Sequence, residues 1–147
     1  MNSDFKELLE ALNEAEVEYL VIGGYAVIHY SQPRYTKDID IWLNPTEENS
    51  YKVLAAFEAF GLPLLSATRA DFANEGLMYY IGVEPCRIDF LTTVPGVDFT
   101  AAWAARVVSD DDGLEIRYIS KADLITAKEV AARPQDLVDV SELRKLS

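Results

Sequence analysis

The sequence predicts an α/β or α+β domain in which helices pack on a small mixed sheet of four or five strands. Three observations carry this expectation. The chain opens helix, strand, helix, strand, helix, judged by apolar residues spaced at three and four that alternate with short apolar runs of strand length. Two further apolar runs, Leu77 to Val83 and Cys86 to Val94, lie close enough to form a hairpin. Half of the 147 residues are hydrophobic, enough for one domain spanning 1–147 to bury a core without disulfide staples.

Each element has its local reason. Ser3 is placed to cap a first helix, whose stripe of Phe5, Leu8, Leu9 and Leu12 runs to an end near Ala15. Val17 to Ile22 reads as a short strand, and Gly23-Gly24 punctuates it before a helix over Tyr25 to Tyr30 that Gln32-Pro33 breaks. Thr36 to Leu43 reads as a strand. Asn44-Pro45-Thr46-Glu47-Glu48 then supplies a turn and a helix start, followed by an apolar face of Val53, Leu54, Phe57 and Phe60 that Gly61 closes. Ser66 to Gly76 reads as loop with one helical turn at Ala70 to Phe72. The hairpin strands come next, joined through Glu84-Pro85, and then an alanine-rich short helix over Asp98 to Val108. Ser109 to Gly113 is an acidic turn into a strand from Leu114 to Ile119. Ser120 caps a helix over Lys121 to Arg133, and Pro134 opens a last helix with Leu137, Val140 and Leu143 on one side. The helices from about 120 onward should pack on the core.

Charge narrows the classes of partner. With 25 acidic against 13 basic residues the formal charge is -12, which repels a polyphosphate backbone and argues against broad nucleic-acid binding. A single triphosphate arriving with its own Mg²⁺ is still compatible, as are a small cationic ligand and a basic protein. No apolar run reaches the length of a membrane span, and the polar start Met1-Asn2-Ser3-Asp4 has no leader character. A lone cysteine, Cys86, excludes an internal disulfide, reads as a small buried residue and fits a cytoplasmic chain. His29 has no companion imidazole or thiolate and reads as a packing or surface residue.

The chemistry concentrates on three aspartates. In Asp38-Ile39-Asp40-Ile41-Trp42-Leu43 side chains alternate along a strand, so both carboxylates project to one face while Ile39, Ile41 and Leu43 turn to the core. Two carboxylates on one apolar strand are costly without a cation. Asp89, isolated between Ile88 and Phe90, joins them if its strand lies beside theirs, giving oxygen ligands suited to Mg²⁺. Gly23-Gly24 at a strand-to-helix junction lets a ligand approach backbone N–H groups and the positive end of the helix. Arg34 and Lys37 flank the acidic strand and are positioned to neutralise phosphate, and Lys128 lies mid-helix within reach of the same pocket or of solvent.

This arrangement of Gly23, Gly24, Asp38, Asp40 and Asp89 resembles the minimal nucleotidyltransferase superfamily. Gly23-Gly24-Tyr25-Ala26 followed by Arg34-Tyr35-Thr36-Lys37-Asp38-Ile39-Asp40 is most similar to its AbiEii-type toxin and small uncharacterised bacterial and archaeal members. The run Lys128 to Asp139, with Arg133 and Asp136, is similar to a helical pattern of that group. The resemblance implies a nucleotidyltransferase-like fold, an NTP donor, and Mg²⁺ or Mn²⁺ held by Asp38, Asp40 and Asp89 as catalytic residues. It also implies Gly23, Gly24, Arg34, Lys37 and Lys128 around the nucleotide, and transfer of an NMP to a hydroxyl of RNA, a protein or a small molecule. A place in a toxin–antitoxin-like pair belongs to the same expectation.

Gly24 departs from the commoner Gly-Ser form by lacking a hydroxyl that would touch phosphate. No large extra acceptor domain is visible, so the core, a protein partner or a second copy has to bind the acceptor. The alternative reading is a nucleotidyltransferase-fold binding or regulatory protein without turnover, which the acidic charge and Gly24 favour. A two-metal phosphohydrolase is the third.

Overall fold

Hydrogen-bond pairing of the apolar runs builds one six-stranded mixed sheet in the order β3-β4-β2-β1-β6-β5. The computed structural model describes residues 1–83 and 86–145. In chain order the elements are α1 (Ser3–Glu14), β1 (Tyr19–Ile22), α2 (Gly23–Tyr30), β2 (Asp38–Leu43), α3 (Glu47–Phe60), α4 (Arg69–Phe72), β3 (Met78–Ile81) and β4 (Arg87–Leu91). They continue with α5 (Phe99–Ala104), β5 (Val107–Asp111), β6 (Leu114–Tyr118), α6 (Lys121–Ala131) and α7 (Pro134–Lys145). The expected α/β architecture with helices flanking a mixed sheet is what the chain adopts. β2 runs antiparallel to β1 and parallel to β4, while β1 and β6 are parallel. The outer pairs β3-β4 and β5-β6 are antiparallel hairpins, although the Glu84-Pro85 connection lies outside the described residues.

The core forms because alternate residues of β2 and β4 turn to one face. Ile39, Ile41, Leu43 and Phe90 are fully buried there, and Phe90 packs against Phe57 of α3 with ring centroids 4.9 Å apart. The stripe of α1 places Phe5, Leu8, Leu9 and Leu12 in the same core, each fully buried and each contributing on the order of 1.5–3 kcal/mol by removal from water. Gly61 ends α3 in a left-handed conformation, φ +85°, as the helix-stop reading required.

Several boundaries differ from expectation. The cap of α1 is Asn2 rather than Ser3: Asn2 Oδ1 accepts from the Phe5 N–H at 2.9 Å, an equally good cap one residue earlier. The sheet has a sixth strand because the alanine-rich helix stops at Ala104, and Val107–Asp111 pairs with β6. Asp112 and Gly113 both have positive φ, 52° and 88°, the requirement of a two-residue hairpin turn, so the acidic run is half strand and half turn. Helix α6 ends at Ala131 because Ala132 turns left-handed, φ +52°, ahead of Pro134. On α7 Val140 and Leu143 are buried, but Leu137 is 53% exposed and faces away from them. Cys86 is exposed at the start of β4, against the reading of a buried small residue. His29 stacks on Tyr118 at 4.0 Å between ring centroids, and desolvation lowers its pKa, in keeping with a packing role. Among the described residues no helix is long and apolar enough to cross a membrane.

Candidate active site

The parallel register between β2 and β4 sets Asp40 opposite Asp89 and Asp38 opposite Arg87. Adjacent strands are about 4.8 Å apart, so the three aspartates share one sheet face at neighbouring positions. Asp89 is 4% exposed and is gripped by Arg87, whose Nε donates to Oδ1 at 2.8 Å and Nη2 to Oδ2 at 3.2 Å. The guanidinium also lies over the Tyr80 ring, 4.6 Å from its centroid, which fixes the fork in place.

Asp40 bears the electrostatic load. Burial, then the charge of Asp89, a hydrogen bond with Asp89 and the charge of Asp38 push its pKa up to about 7, against a smaller lowering by Lys128. Carboxylates crowded in this way have oxygen donors for a hard cation and a reason to accept one. No three acidic, histidine or cysteine side chains among the described residues form a ready metal cage. Mg²⁺ seldom uses such a cage and is commonly held by one or two carboxylates together with substrate phosphates, so the donor set of Asp38 and Asp40 fits it.

Strand β1 ends directly over this point, since Ile22 pairs with Asp40 and Gly23 follows. A Cβ on Gly23 would lie 2.1 Å from Asp40 Oδ2, and its φ is +66°, so glycine is dictated twice over. A Cβ on Gly24 would lie 2.6 Å from Thr36 Oγ1. A side chain at position 24 would therefore run into the Thr36 hydroxyl. Both glycines open the eight-residue α2 and line the cleft.

Across the cleft stands a buried ion network contributed by α6, α7 and the segment before β2. Lys128 is only 8% exposed, and its Nζ reaches Asp136 Oδ1 at 3.2 Å and Asp139 Oδ2 at 2.9 Å. Asp139 also accepts from Arg34 Nη1 at 2.5 Å and from Gln135 at 2.9 Å, and Asp136 accepts from Arg133 Nε at 2.7 Å. Burial raises the pKa of both aspartates, but the hydrogen bonds from Arg133 and Lys128 to Asp136, and from Lys128, Gln135 and Arg34 to Asp139, outweigh it and leave both below the usual carboxylate value. Lys128 is thus neither solvated nor idle.

Two cavities meet at Asp38 and Asp40. One, of about 600 Å³, is lined by Gly23, Gly24, Arg34, Lys37 and Lys128. The other, of about 400 Å³, runs past Asp89 and Arg87 to an apolar wall of Met78, Leu91, Pro95 and Leu124. All eight site residues expected from sequence line one or both of these cavities. The anchors Asp136 and Asp139 were not among the expected site residues, and nor was Thr36. Their signal was present: two aspartates three apart on the helix face that also buries Val140 and Leu143 are carboxylates aimed inward.

Over residues 2–145 the chain matches a family described as nucleotidyltransferase of unknown function (DUF6036). Among solved structures, the lincosamide antibiotic adenylyltransferase LnuA, crystallised with lincomycin bound, is similar with a TM-score of 0.57 at 15% sequence identity. The likeness covers 100% of this chain and 98% of that one, and at this identity it shows a shared fold. No curated protein matches the sequence.

Proposed function

We propose, for a chain that belongs to this nucleotidyltransferase family, that it transfers an NMP from an NTP to a hydroxyl acceptor with Mg²⁺ or Mn²⁺ as cofactor. The observation that carries the reading is the convergence of Asp38, Asp40 and Asp89 beneath Gly23-Gly24, with Lys128 and Arg34 across the cleft.

In this reading the larger cavity takes the triphosphate. The first N–H groups of α2 at Gly23 and Gly24 and the Thr36 hydroxyl donate to phosphate oxygens, and Arg34, Lys37 and Lys128 supply positive charge. Asp38 and Asp40 hold the metal. When bound, that ion neutralises phosphate charge and makes the α-phosphorus more electrophilic. Asp89, kept in one orientation by Arg87, receives the acceptor's proton as its oxygen bonds to the α-phosphorus and pyrophosphate departs. The AbiEii-type affinity and a toxin–antitoxin pairing rest on the Gly-Gly and Asp-Ile-Asp motifs and the Lys128 to Asp139 run, and extend the same reading. LnuA, a lincosamide antibiotic adenylyltransferase, supports a small-molecule acceptor as one member of the acceptor class.

The test is incubation with α-labelled NTPs and Mg²⁺ in the presence of RNA, protein or small-molecule extracts. Label should move to an acceptor with matching pyrophosphate release, and Asp40→Asn and Asp89→Asn should stop it. Release of free NMP without any acceptor would replace transfer with phosphohydrolysis, and folded protein with no turnover would favour the binding-protein reading.

A further inference from the structure

The cavity of about 400 Å³ that passes Asp89 has a wall for which a triphosphate has no use. It shares Gly23, Asp38, Asp40, Lys128, Arg133 and Asp136 with the larger cavity, so both border the same carboxylates. Beyond them its lining turns apolar and comes from three parts of the fold. Leu91, two residues past Asp89 on β4, lies on the same sheet face, and Met78 of β3 is its register partner. Leu124, Ala127 and Ala131 fall at spacings of three and four, on one face of α6. Between sheet and helix runs the turn through Val94 and Pro95, closed by a hydrogen bond from the Val97 N–H to the Val94 carbonyl at 3.2 Å. A Cβ on Gly96 of that turn would come within 2.5 Å of Val130 Cγ2, so the turn is seated directly on α6.

The charged groups beside this wall are already paired. Arg87 faces Asp89, and both Lys128 and Arg133 face Asp136. Thr93, a neutral polar neighbour, accepts from the Gly76 N–H at 2.7 Å. Each lining cation thus has its carboxylate, an arrangement that favours an uncharged ligand, and the chain's charge of -12 opposes a polyanion such as RNA. The volume lies at the lower end of small-molecule sites, which run from roughly 300 to 1,000 Å³.

We infer that this cavity holds the body of the acceptor, and that the acceptor is an uncharged small molecule carrying a hydroxyl on a compact apolar skeleton. The skeleton lies between Met78 and Leu91 on the sheet and Leu124, Ala127 and Ala131 on α6, with the hydroxyl at Asp89. This rests on the transferase reading above. In that step the hydroxyl oxygen bonds to the α-phosphorus, its proton passes to Asp89, and the bond to the pyrophosphate oxygen breaks with its electron pair leaving on pyrophosphate. Burial of the skeleton supplies the affinity, which a polyol filling the same space would forfeit.

The protein has two methionines, Met1 and Met78, so ¹³C-methyl labelling of methionine gives two signals, and Met78→Leu assigns them. Met78 is 61% exposed where it lines the cavity, within reach of a ligand. Menthol is the probe, and myo-inositol, a ring of the same size with a hydroxyl on every carbon, is its polar counterpart. The Met78 signal should move saturably with menthol, with affinity about tenfold weaker or more for inositol. Ala127→Leu, whose longer side chain takes up cavity space, should weaken menthol about tenfold or more, and Ala131→Leu at a more exposed position repeats the test where the first variant does not fold. An equal response to both compounds, no response from folded wild type at millimolar menthol, or an unaltered response in the folded leucine variants overturns the inference. A parallel titration with MgATP separates the two proposals. Nucleotide binding without a menthol response sinks the apolar acceptor site alone, whereas a menthol response without nucleotide binding sinks the transferase reading and leaves the apolar site standing.

Discussion

Asp40 and Asp89 are register partners across parallel strands, two carboxylates one strand spacing apart on the same sheet face. Each raises the cost of charge on the other, and that cost falls on Asp40. Its folded pKa of about 7 lies above the ordinary 3.8, so between these values the folded chain binds more protons than the unfolded one. Stability from this group is complete below about pH 4, falls as pH rises toward 7 and is level above it. Metal-free wild type should therefore lose melting temperature between pH 4 and pH 7 relative to Asp40→Asn, and Mg²⁺ with nucleotide should restore it. Parallel slopes in the two proteins would remove Asp40 as the source.

Lys128 and Asp139 form the second relationship on which the cleft depends. Asp139→Ala removes a buried carboxylate that pairs with both Lys128 and Arg34, and should cost about 3–5 kcal/mol in urea unfolding. Lys128→Met should keep the fold while weakening NTP binding about tenfold or more, because it removes the buried cation of the larger cavity. Since Lys128 lowers the pKa of Asp40, the same variant should raise the pH at which metal binding sets in. An NTP affinity unchanged in Lys128→Met would confine the lysine to a structural role.

Gly23→Ala tests the contact between the strand end and the carboxylate. A methyl group would need the place of Asp40 Oδ2 while forcing a left-handed residue, so a loss of about 1–3 kcal/mol and of metal-dependent nucleotide binding is expected together. Thermal melting and nucleotide titration of the same sample read both effects.

Much of this was legible in sequence because it is local. Alternation placed Asp38 and Asp40 together, and Gly-Gly after an apolar strand marked the turn that lines the cleft. What sequence could not give was register and reach. That Asp89 stands opposite Asp40 and not a residue away depends on a parallel pairing between strands separated by α3, α4 and β3. The grip of Asp136 and Asp139 on Lys128 depends on how α7 folds back on α6, which no periodicity encodes. Strand β5 was hidden because its acidic residues suggested a turn, and an exposed edge strand tolerates them.

Gly24→Ser tests whether the Thr36 hydroxyl, two residues ahead of β2, substitutes for a hydroxyl at the turn. The added Cβ would crowd Thr36 Oγ1, so the single variant should be destabilised by about 1–3 kcal/mol. Gly24→Ser/Thr36→Ala should recover both stability and nucleotide affinity, and a double variant no better than the single would mean that Thr36 is not filling the place of the missing serine.

In the transferase reading a metal-bound triphosphate sits on Asp38 and Asp40. Calorimetric titration with non-hydrolysable analogues of ATP, GTP, CTP and UTP, with and without Mg²⁺, on wild type and Asp38→Asn/Asp40→Asn, addresses it without knowledge of the acceptor. Binding should require Mg²⁺ and vanish in the double variant. Folded wild-type protein that binds none of the four, or binds them equally well after both aspartates are removed, would contradict it.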